Sequence, residues 1–327
     1  ALTDSVRARC RRADRHRVTC GAPTSRAIMS EYPRDGDGSP DDRSSPALSG
    51  RSEHQEEPAM ASTRTTLTDS ELATLADICG RDADELRAEL HRRPWLLQEL
   101  LRAPEAVEAV RDDGLTVVSS PFLLFAVLTR LAADELLDVS WVNEWTGPRS
   151  RLPVLDVEPL QEFVDDPARV LFVARLLASF VAPASSPIPL HATDPWELID
   201  WLQAVVPDDR VTLLRRLGDL ALFLAGVHPD ATGDHPLTPR QAAKAGRSLD
   251  LTADEILAMV DPASLSPGLD ALEALGARWY TAAREEARDL PVVVLDVAAR
   301  IRAARRFLNH LTDRYLHPYT PTFGLPA

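Results

Sequence analysis

The chain has 327 residues, with 36 basic and 50 acidic side chains and a formal net charge of −14 at pH 7. The acidic excess lies in residues 60–327, because residues 1–59 carry ten side chains of each sign. An acidic surface repels phosphate backbones and anionic lipid headgroups, so a nucleic-acid partner is disfavoured and no membrane association is expected. The longest apolar segment, residues 170–183, is too short to span a bilayer and is interpreted as a buried helix.

The composition changes abruptly near Met60. Residues 30–59 hold only four apolar side chains, whereas apolar residues recur at helical spacing from Leu67 almost to the end. A segment so poor in apolar side chains cannot offset the entropy lost on ordering. Residues 1–66 are therefore predicted to form a disordered leader.

The leader has two interpretations. We favour an over-extended reading frame for residues 1–59, with Met29 or Met60 as the true start of the protein. The alternative is a basic nucleic-acid-binding arm, suggested by the six arginines of residues 7–17. No apolar core of a signal peptide follows these arginines, so secretion is not expected.

The number and positions of the cysteines indicate the redox environment of the protein. Cys10 and Cys20 lie in the leader, which leaves Cys79 alone in the part predicted to fold. One thiol forms neither a disulfide framework nor a thiolate zinc site, and this pattern is typical of a reducing compartment. A cytoplasmic location is predicted.

Capping signals, prolines and apolar spacing predict helices through the remaining chain. Thr68 with Glu71 forms a capping box, and Thr252 with Glu255 repeats it. The predicted helices cover residues 68–79, 82–91, 94–101, 104–113, 120–137, 158–165, 167–181, 196–206, 208–227, 239–248, 252–260, 268–289 and 291–316. The predicted fold class is all-α: a multi-helix array with a single small β-hairpin and a disordered N-terminal tail.

The domain organisation is predicted from a proline-rich segment, residues 182–195. It divides the helical part into an N-terminal helical subdomain, residues 67–185, and a C-terminal helical subdomain, residues 186–327. The hairpin, residues 139–157, belongs to the first of them.

The last predicted helix has the most regular apolar period. Its stripe is Val294, Val297, Ile301, Ala304, Leu308, Leu311 and Tyr315. We expect it to pair antiparallel with the preceding helix, where Gly276 permits close approach. The adjacent arginines are expected to form a solvated flank, or alternatively an anion-binding patch. They are Arg300, Arg302, Arg305 and Arg306.

Only residues 139–157 favour strands. Aromatic and β-branched residues alternate there, and Gly147 with Pro148 marks a turn. Alternation places Trp141, Asn143 and Trp145 on one face of the first strand. Exposed tryptophans on such a face favour a binding surface.

Glu144 lies between the two tryptophans and has two interpretations. A carboxyl walled by indoles has a raised pKa and could act as a general acid or base. Alternatively, Glu144 is solvated and pairs with Arg149 or Arg151 at the turn. The candidate binding residues of the hairpin are Trp141, Asn143, Glu144, Trp145, Arg149 and Arg151.

Two ionisable residues interrupt apolar helices. Arg175 lies within residues 170–183, and Asp219 interrupts a second apolar segment. A buried charge without a partner is very costly, so each is predicted to find one, and they could pair with each other. The pair could serve an active site or fix the helix register.

One loop concentrates potential metal ligands: His228, Asp230, Asp234 and His235. Imidazoles and carboxylates bind borderline and hard metals. No HExxH or similar motif accompanies them, and the same residues are ordinary in turns. Turn chemistry is favoured over a metal site, and no cofactor is predicted.

Residues 71–90 resemble helix-turn-helix spacing weakly, and the hairpin with Arg149 and Arg151 could serve as its wing. The second helix carries four carboxylates, Asp82, Asp84, Glu85 and Glu89. These groups face phosphates unfavourably, so two ordinary amphipathic helices are the better interpretation.

No nucleotide loop, nucleophile elbow or CxxC motif is present. The leading hypothesis is a non-catalytic interaction or regulatory protein with a protein partner, contacted through the hairpin and residues 182–195. Removing the hairpin is then expected to leave stability nearly intact. A metal- or acid/base-dependent helical hydrolase and a helix-turn-helix-like DNA-binding regulator are the alternatives.

Overall fold

Fifteen α-helices and one two-stranded antiparallel sheet make up the part of the chain described by the structure, a computed structural model. The described residues are 67–112, 120–147, 150–181, 194–204, 207–233, 235–261 and 263–316. The all-α class with one hairpin is confirmed. The predicted leader, residues 1–66, lies outside the described residues.

The elements follow one another with short connections. The first half comprises α1 (Asp69–Ile78), α2 (Ala83–Arg92), α3 (Leu96–Arg102), α4 (Pro104–Asp112), α5 (Pro121–Leu137), β1 (Val142–Gly147), β2 (Ser150–Val154), α6 (Glu158–Asp165) and α7 (Pro167–Val181). The second half comprises α8 (Pro195–Leu202), α9 (Pro207–Val227), α10 (Pro229–Thr232), α11 (Pro239–Leu249), α12 (Ala253–Leu257), α13 (Pro267–Glu286), α14 (Val293–Ala299), α15 (Ile301–Leu311) and a π-helical turn (Thr312–Leu316).

Local capping explains where several helices begin. The Thr68 hydroxyl accepts the Glu71 backbone N–H at 3.2 Å, and the Glu71 carboxylate accepts the Thr68 N–H at 2.8 Å. The same box starts α12 at Thr252 and Glu255. Each box satisfies two backbone donors that a helix start leaves open. Both predicted capping boxes are confirmed.

Helix α9 lies at the centre of the apolar core and packs most extensively against α13. The two helices run antiparallel, since Gly218 faces the Tyr280 ring and Ala221 faces Gly276. A Cβ on Gly276 would lie 3.1 Å from the Ala221 Cβ and 3.0 Å from the Ile301 Cδ1. The predicted close approach at Gly276 is therefore confirmed, but its main partner helix is α9.

The predicted single helix over residues 291–316 is wrong. The backbone leaves helical geometry at Arg300, where φ is −119°, and this break separates α14 from α15. Helix α13 contacts both segments, and it contacts α14 more extensively than α15. The apolar stripe nevertheless faces the core, with Val294, Val297, Ala304, Leu308 and Leu311 buried.

The helices on either side of the proposed domain boundary share one hydrophobic core. All described residues belong to a single compact unit. Most of the boundary segment, residues 182–193, lies outside the described residues, so the division into 67–185 and 186–327 stays a prediction. Within the described chain, no helix combines the length and the apolarity that crossing a bilayer requires.

Gly226 tests the tight packing of α9 on α15. A Cβ there would collide with Cβ of Leu308, an atom close to the α15 backbone, so the helices would have to separate. We expect Gly226→Ala to lower the free energy of unfolding by about 1–3 kcal/mol in chemical denaturation. Gly276→Ala is the matched control, because its contacts with Ile301 and Ala221 need shifts of only a few tenths of an ångström and alanine is favoured over glycine in a helix by about 1 kcal/mol. Equal losses in both variants would contradict the packing described here.

Candidate functional site

The hairpin is a regular antiparallel pair with one irregularity near its turn. Val142 lies opposite Val154, and Trp145 lies opposite Arg151. The register shifts between Trp145 and Gly147, which bends the strand locally. Residues 148 and 149 lie outside the described residues, and the prediction for Arg149 falls there.

Glu144 anchors the hairpin to helix α15. Its two carboxylate oxygens accept Arg305 Nη2 and Arg306 Nη2, each at 2.6 Å. Burial raises the pKa of the Glu144 carboxyl, but the hydrogen bonds and charges of Arg306 and Arg305 outweigh it, and the pKa is lowered. The prediction of a raised-pKa acid or base is therefore wrong. The prediction of pairing with Arg151 is wrong as well.

Arg305 extends this anchor into the core. Its side chain is buried, at 3% exposure, and also donates through Nε to Glu273 and through Nη1 to Asn309 at 3.0 Å. Arg302 donates to the same Glu273 at 3.1 Å. The expectation that the basic run is a solvated flank is wrong for Arg305. Glu273 was missed because it is one of four carboxylates in its helix, and the local sequence does not show which of them meets a buried arginine.

Arg300 also has a carboxylate partner, Asp296. With Arg302 on Glu273 and Arg306 on Glu144, all four arginines of the basic run are paired. The alternative of an anion-binding patch therefore receives no support from this arrangement.

Trp145 provides a second anchor. Its side chain is 2% exposed, its indole N–H donates to Asp230, and its ring occupies the space that a Cβ on Gly233 would need. Arg151, opposite Trp145, lies 3.8 Å from Asp230 and 3.5 Å from Asp313. The prediction of an exposed tryptophan is thus wrong for Trp145.

One face of the hairpin remains open, and we call it the hairpin face: Trp141, Asn143, Pro153 and Leu155. All four are exposed, with Trp141 at 50% and Leu155 at 77%. Asn143 lies opposite Pro153, and the register continued by one residue places Trp141 opposite Leu155. The inner part of the same face carries the anchored Trp145 and Arg151. A fixed support therefore presents two large apolar side chains to solvent.

The predicted metal ligands do not converge. Asp230 binds Trp145, His235 is exposed, and His228 lies with its ring 5.5 Å from that of Phe223. Burial lowers the pKa of His228. Asp234 lies outside the described residues. In the described ranges, no three His, Cys, Asp or Glu side chains form a group suited to a metal ion.

Arg175 and Asp219 both occur in ion pairs, but not with each other. Arg175 pairs with Glu71, donating through Nη2 to Oε2 at 2.7 Å, and its guanidinium lies 3.4 Å from the centre of the Phe122 ring. Asp219 accepts Arg215 Nε at 2.9 Å and the Tyr280 hydroxyl at 2.8 Å. The prediction of a partner for each holds, and the suggestion that they pair mutually is wrong.

The segment resembling a helix-turn-helix forms α1 and α2. Asp82 caps α2 by accepting the N–H groups of Asp84 and Glu85, each at 3.0 Å. Glu89 accepts Arg81 Nη2 at 2.7 Å. Asp84 and Glu85 are exposed, so α2 presents carboxylates to solvent.

A polar cluster that the sequence reasoning missed joins the π-helical turn to α5. Glu135 accepts the Tyr315 hydroxyl at 2.6 Å, Arg314 Nε at 3.2 Å and contacts His310 Nε2 at 3.4 Å. Burial and Glu135 raise the pKa of Tyr315 to about 12, and burial lowers that of His310. Side chains of the π-helical turn and of α15 thus contact one carboxylate of α5, and these contacts hold the three segments together.

Glu144→Gln tests the first anchor. Gln keeps the shape but loses the charge that two guanidiniums share, so we expect a loss of about 2–3 kcal/mol in unfolding free energy at pH 7. Because folding lowers the pKa of Glu144, its contribution is present above the unfolded pKa of about 4.3 and is lost as pH falls through the folded value. Denaturation at several pH values should show the difference from wild type shrinking below about pH 4.3. Glu158→Gln, an exposed carboxylate, is the control, and a constant difference at all pH values would contradict the assignment.

The two tryptophans test the second anchor. Trp145→Ala removes a buried ring and leaves Asp230 without its donor, so a loss of about 3–5 kcal/mol is expected. Trp141→Ala removes a half-exposed ring and should change stability by only about 0.5 kcal/mol. Thermal and chemical denaturation of both variants measure this contrast. The expectation that the hairpin can be removed without loss of stability is replaced, because Val142 and Trp145 belong to the core. Similar stability losses in the two variants would refute the assignment of Trp145 as an anchor.

Comparison of the chain with protein-family models, with curated proteins and with solved structures finds no match in any of the three. The function is therefore argued from the contacts, burial and charges of the described residues.

Proposed function

We propose that this protein is a non-catalytic binding protein that contacts a protein partner through the hairpin face. The observation that carries the proposal is the exposure of Trp141 and Leu155 on a hairpin that Glu144 and Trp145 anchor to the helices. Large aromatic and aliphatic side chains that remain exposed on a folded surface are typical of interaction sites. Tryptophan in particular is enriched among the residues that dominate binding energy.

The rigidity of the support favours binding. Glu144 holds the hairpin to α15 through two arginines, and Trp145 holds it to α10 through Asp230. A surface that is already ordered loses less conformational entropy when a partner binds.

The chemistry near the hairpin supports binding over hydrolysis. A hydrolase needs a carboxyl or imidazole free to exchange a proton at neutral pH. Glu144 has a lowered pKa between two guanidiniums, and Asp230 is engaged by Trp145 and Arg151. The exposed carboxylates of α2 weigh against a DNA-binding role.

A cytoplasmic location and a regulatory role form part of the proposal. Support for the location comes from Cys79, a free thiol and the one cysteine of the described residues.

Affinity capture with matched variants tests the proposal. Wild-type protein and Leu152→Ala are expected to retain the same proteins from an extract of the source cells, whereas the double variant Trp141→Ala/Leu155→Ala should lose them. Leu152 is a suitable control because it is 51% exposed but lies opposite Glu144, on the other side of the hairpin. Quantitative mass spectrometry compares the captured proteins. Equal capture by all variants, or no capture by wild type, would refute the proposal.

A further inference from the structure

We infer that the partner's contacting segment carries an apolar anchor flanked by Lys or Arg side chains. This inference rests on the proposed function, because it assigns the chemistry of the partner that the hairpin face binds.

Carboxylates flank the apolar pair on both sides. Asp138 precedes Trp141 by three residues, Asp156 follows Leu155 directly, and Glu158 begins α6. All three carboxylates are exposed. None of them has a salt-bridge partner within the described part of the chain.

The acidic border continues along α6. Glu158, Glu162 and Asp165 are spaced four and three residues apart, so they lie along one side of this helix, and all three are exposed. At 1.5 Å per residue the stripe is about 10 Å long, and it begins at Glu158, three residues after Leu155. No ion pair within the described ranges uses these three carboxylates.

The nearby cations of the described residues already pair with other carboxylates. Arg305 and Arg306 are held by Glu144, and Arg169 on α7 lies 2.6 Å from Asp296 and 3.2 Å from Asp166. Arg306 and Arg169 contact the border only through backbone carbonyls, those of Asp156 at 3.4 Å and Glu162 at 2.6 Å. Among the described residues, the carboxylates of the border therefore have no cation of their own. A negative potential next to an apolar patch selects a partner segment of the opposite charge.

The spacing defines the partner further. An apolar side chain packed against Trp141 and Leu155 leaves the border within reach of the residues that flank this anchor in the partner. About three residues of extended chain, at roughly 3.3 Å each, span the 10 Å stripe of α6. Two or three Lys or Arg residues within a few positions of the anchor would meet its carboxylates. Nucleic acids and anionic lipids would be repelled by the same groups.

Selection from a random peptide display library on the full chain tests the inference. The enriched sequences are expected to combine a Leu, Phe, Tyr or Trp anchor with at least two Lys or Arg residues. Fluorescence anisotropy with a selected peptide should show binding that weakens by about tenfold or more between low and high salt. A peptide of residues 7–17, which has six arginines but no large apolar anchor, should bind far more weakly.

Matched variants separate the charge from the apolar contribution. The triple variant Glu158→Gln/Glu162→Gln/Asp165→Asn should weaken a selected peptide by about tenfold, mainly through a slower association rate. Asp84→Asn/Glu85→Gln, which removes exposed carboxylates of α2, should leave the affinity unchanged. Trp141→Ala/Leu155→Ala should abolish binding.

The outcomes distinguish the two proposals. Enriched peptides that need Trp141 and Leu155 but are neutral or acidic, or that ignore the triple variant, overturn the basic-partner inference and leave the hairpin face as the binding site. Basic peptides that bind equally well to Trp141→Ala/Leu155→Ala overturn the proposed function. A selection that yields no peptide dependent on Trp141 and Leu155 overturns both.

Discussion

The position of the hairpin depends on one interaction, the pairing of Arg305 with the carboxylates of Glu144 and Glu273. Arg305 lies between them and is buried, so its charge is stable inside the protein only because both partners are present. Through this one arginine, β1, α13 and α15 are joined at a single point. The hairpin is thereby part of the folded body, and the exposure of its outer face is a property of a fixed surface.

Much of the fold follows from local signals in the chain. The capping boxes at Thr68 and Thr252 begin helices where expected, and residues 158–165 and 167–181 match α6 and α7. Such signals act within a few residues, so they can be recognised without knowing the rest of the structure. The break at Arg300 has no comparable local signal, because apolar periodicity continues through it. The length of the final helix was therefore overestimated.

The candidate site could be predicted only in part, because its decisive contacts are distant in the chain. The apolar alternation located the hairpin and correctly left Trp141 exposed. It could not show that Trp145 would meet Asp230, 85 residues away, or that Glu144 would meet Arg305, 161 residues away. Likewise, Arg175 found Glu71 at a separation of 104 residues. The free-energy cost of burying a charge indicates that the charge needs a partner. The identity of that partner becomes known only from the folded structure.

Arginine supplies every cation of the hairpin's first anchor, and this choice has a chemical consequence. Glu273 holds the pKa of Arg305 above its usual value despite burial, and a guanidinium stays protonated in alkaline solution, where an amine would not. Enzymatic acetylation also targets amines and not guanidiniums. The chain's one lysine, Lys244, lies outside this anchor and pairs with Asp200 on α8. Neither alkaline pH nor lysine acetylation therefore removes the positive charges that hold the hairpin in place.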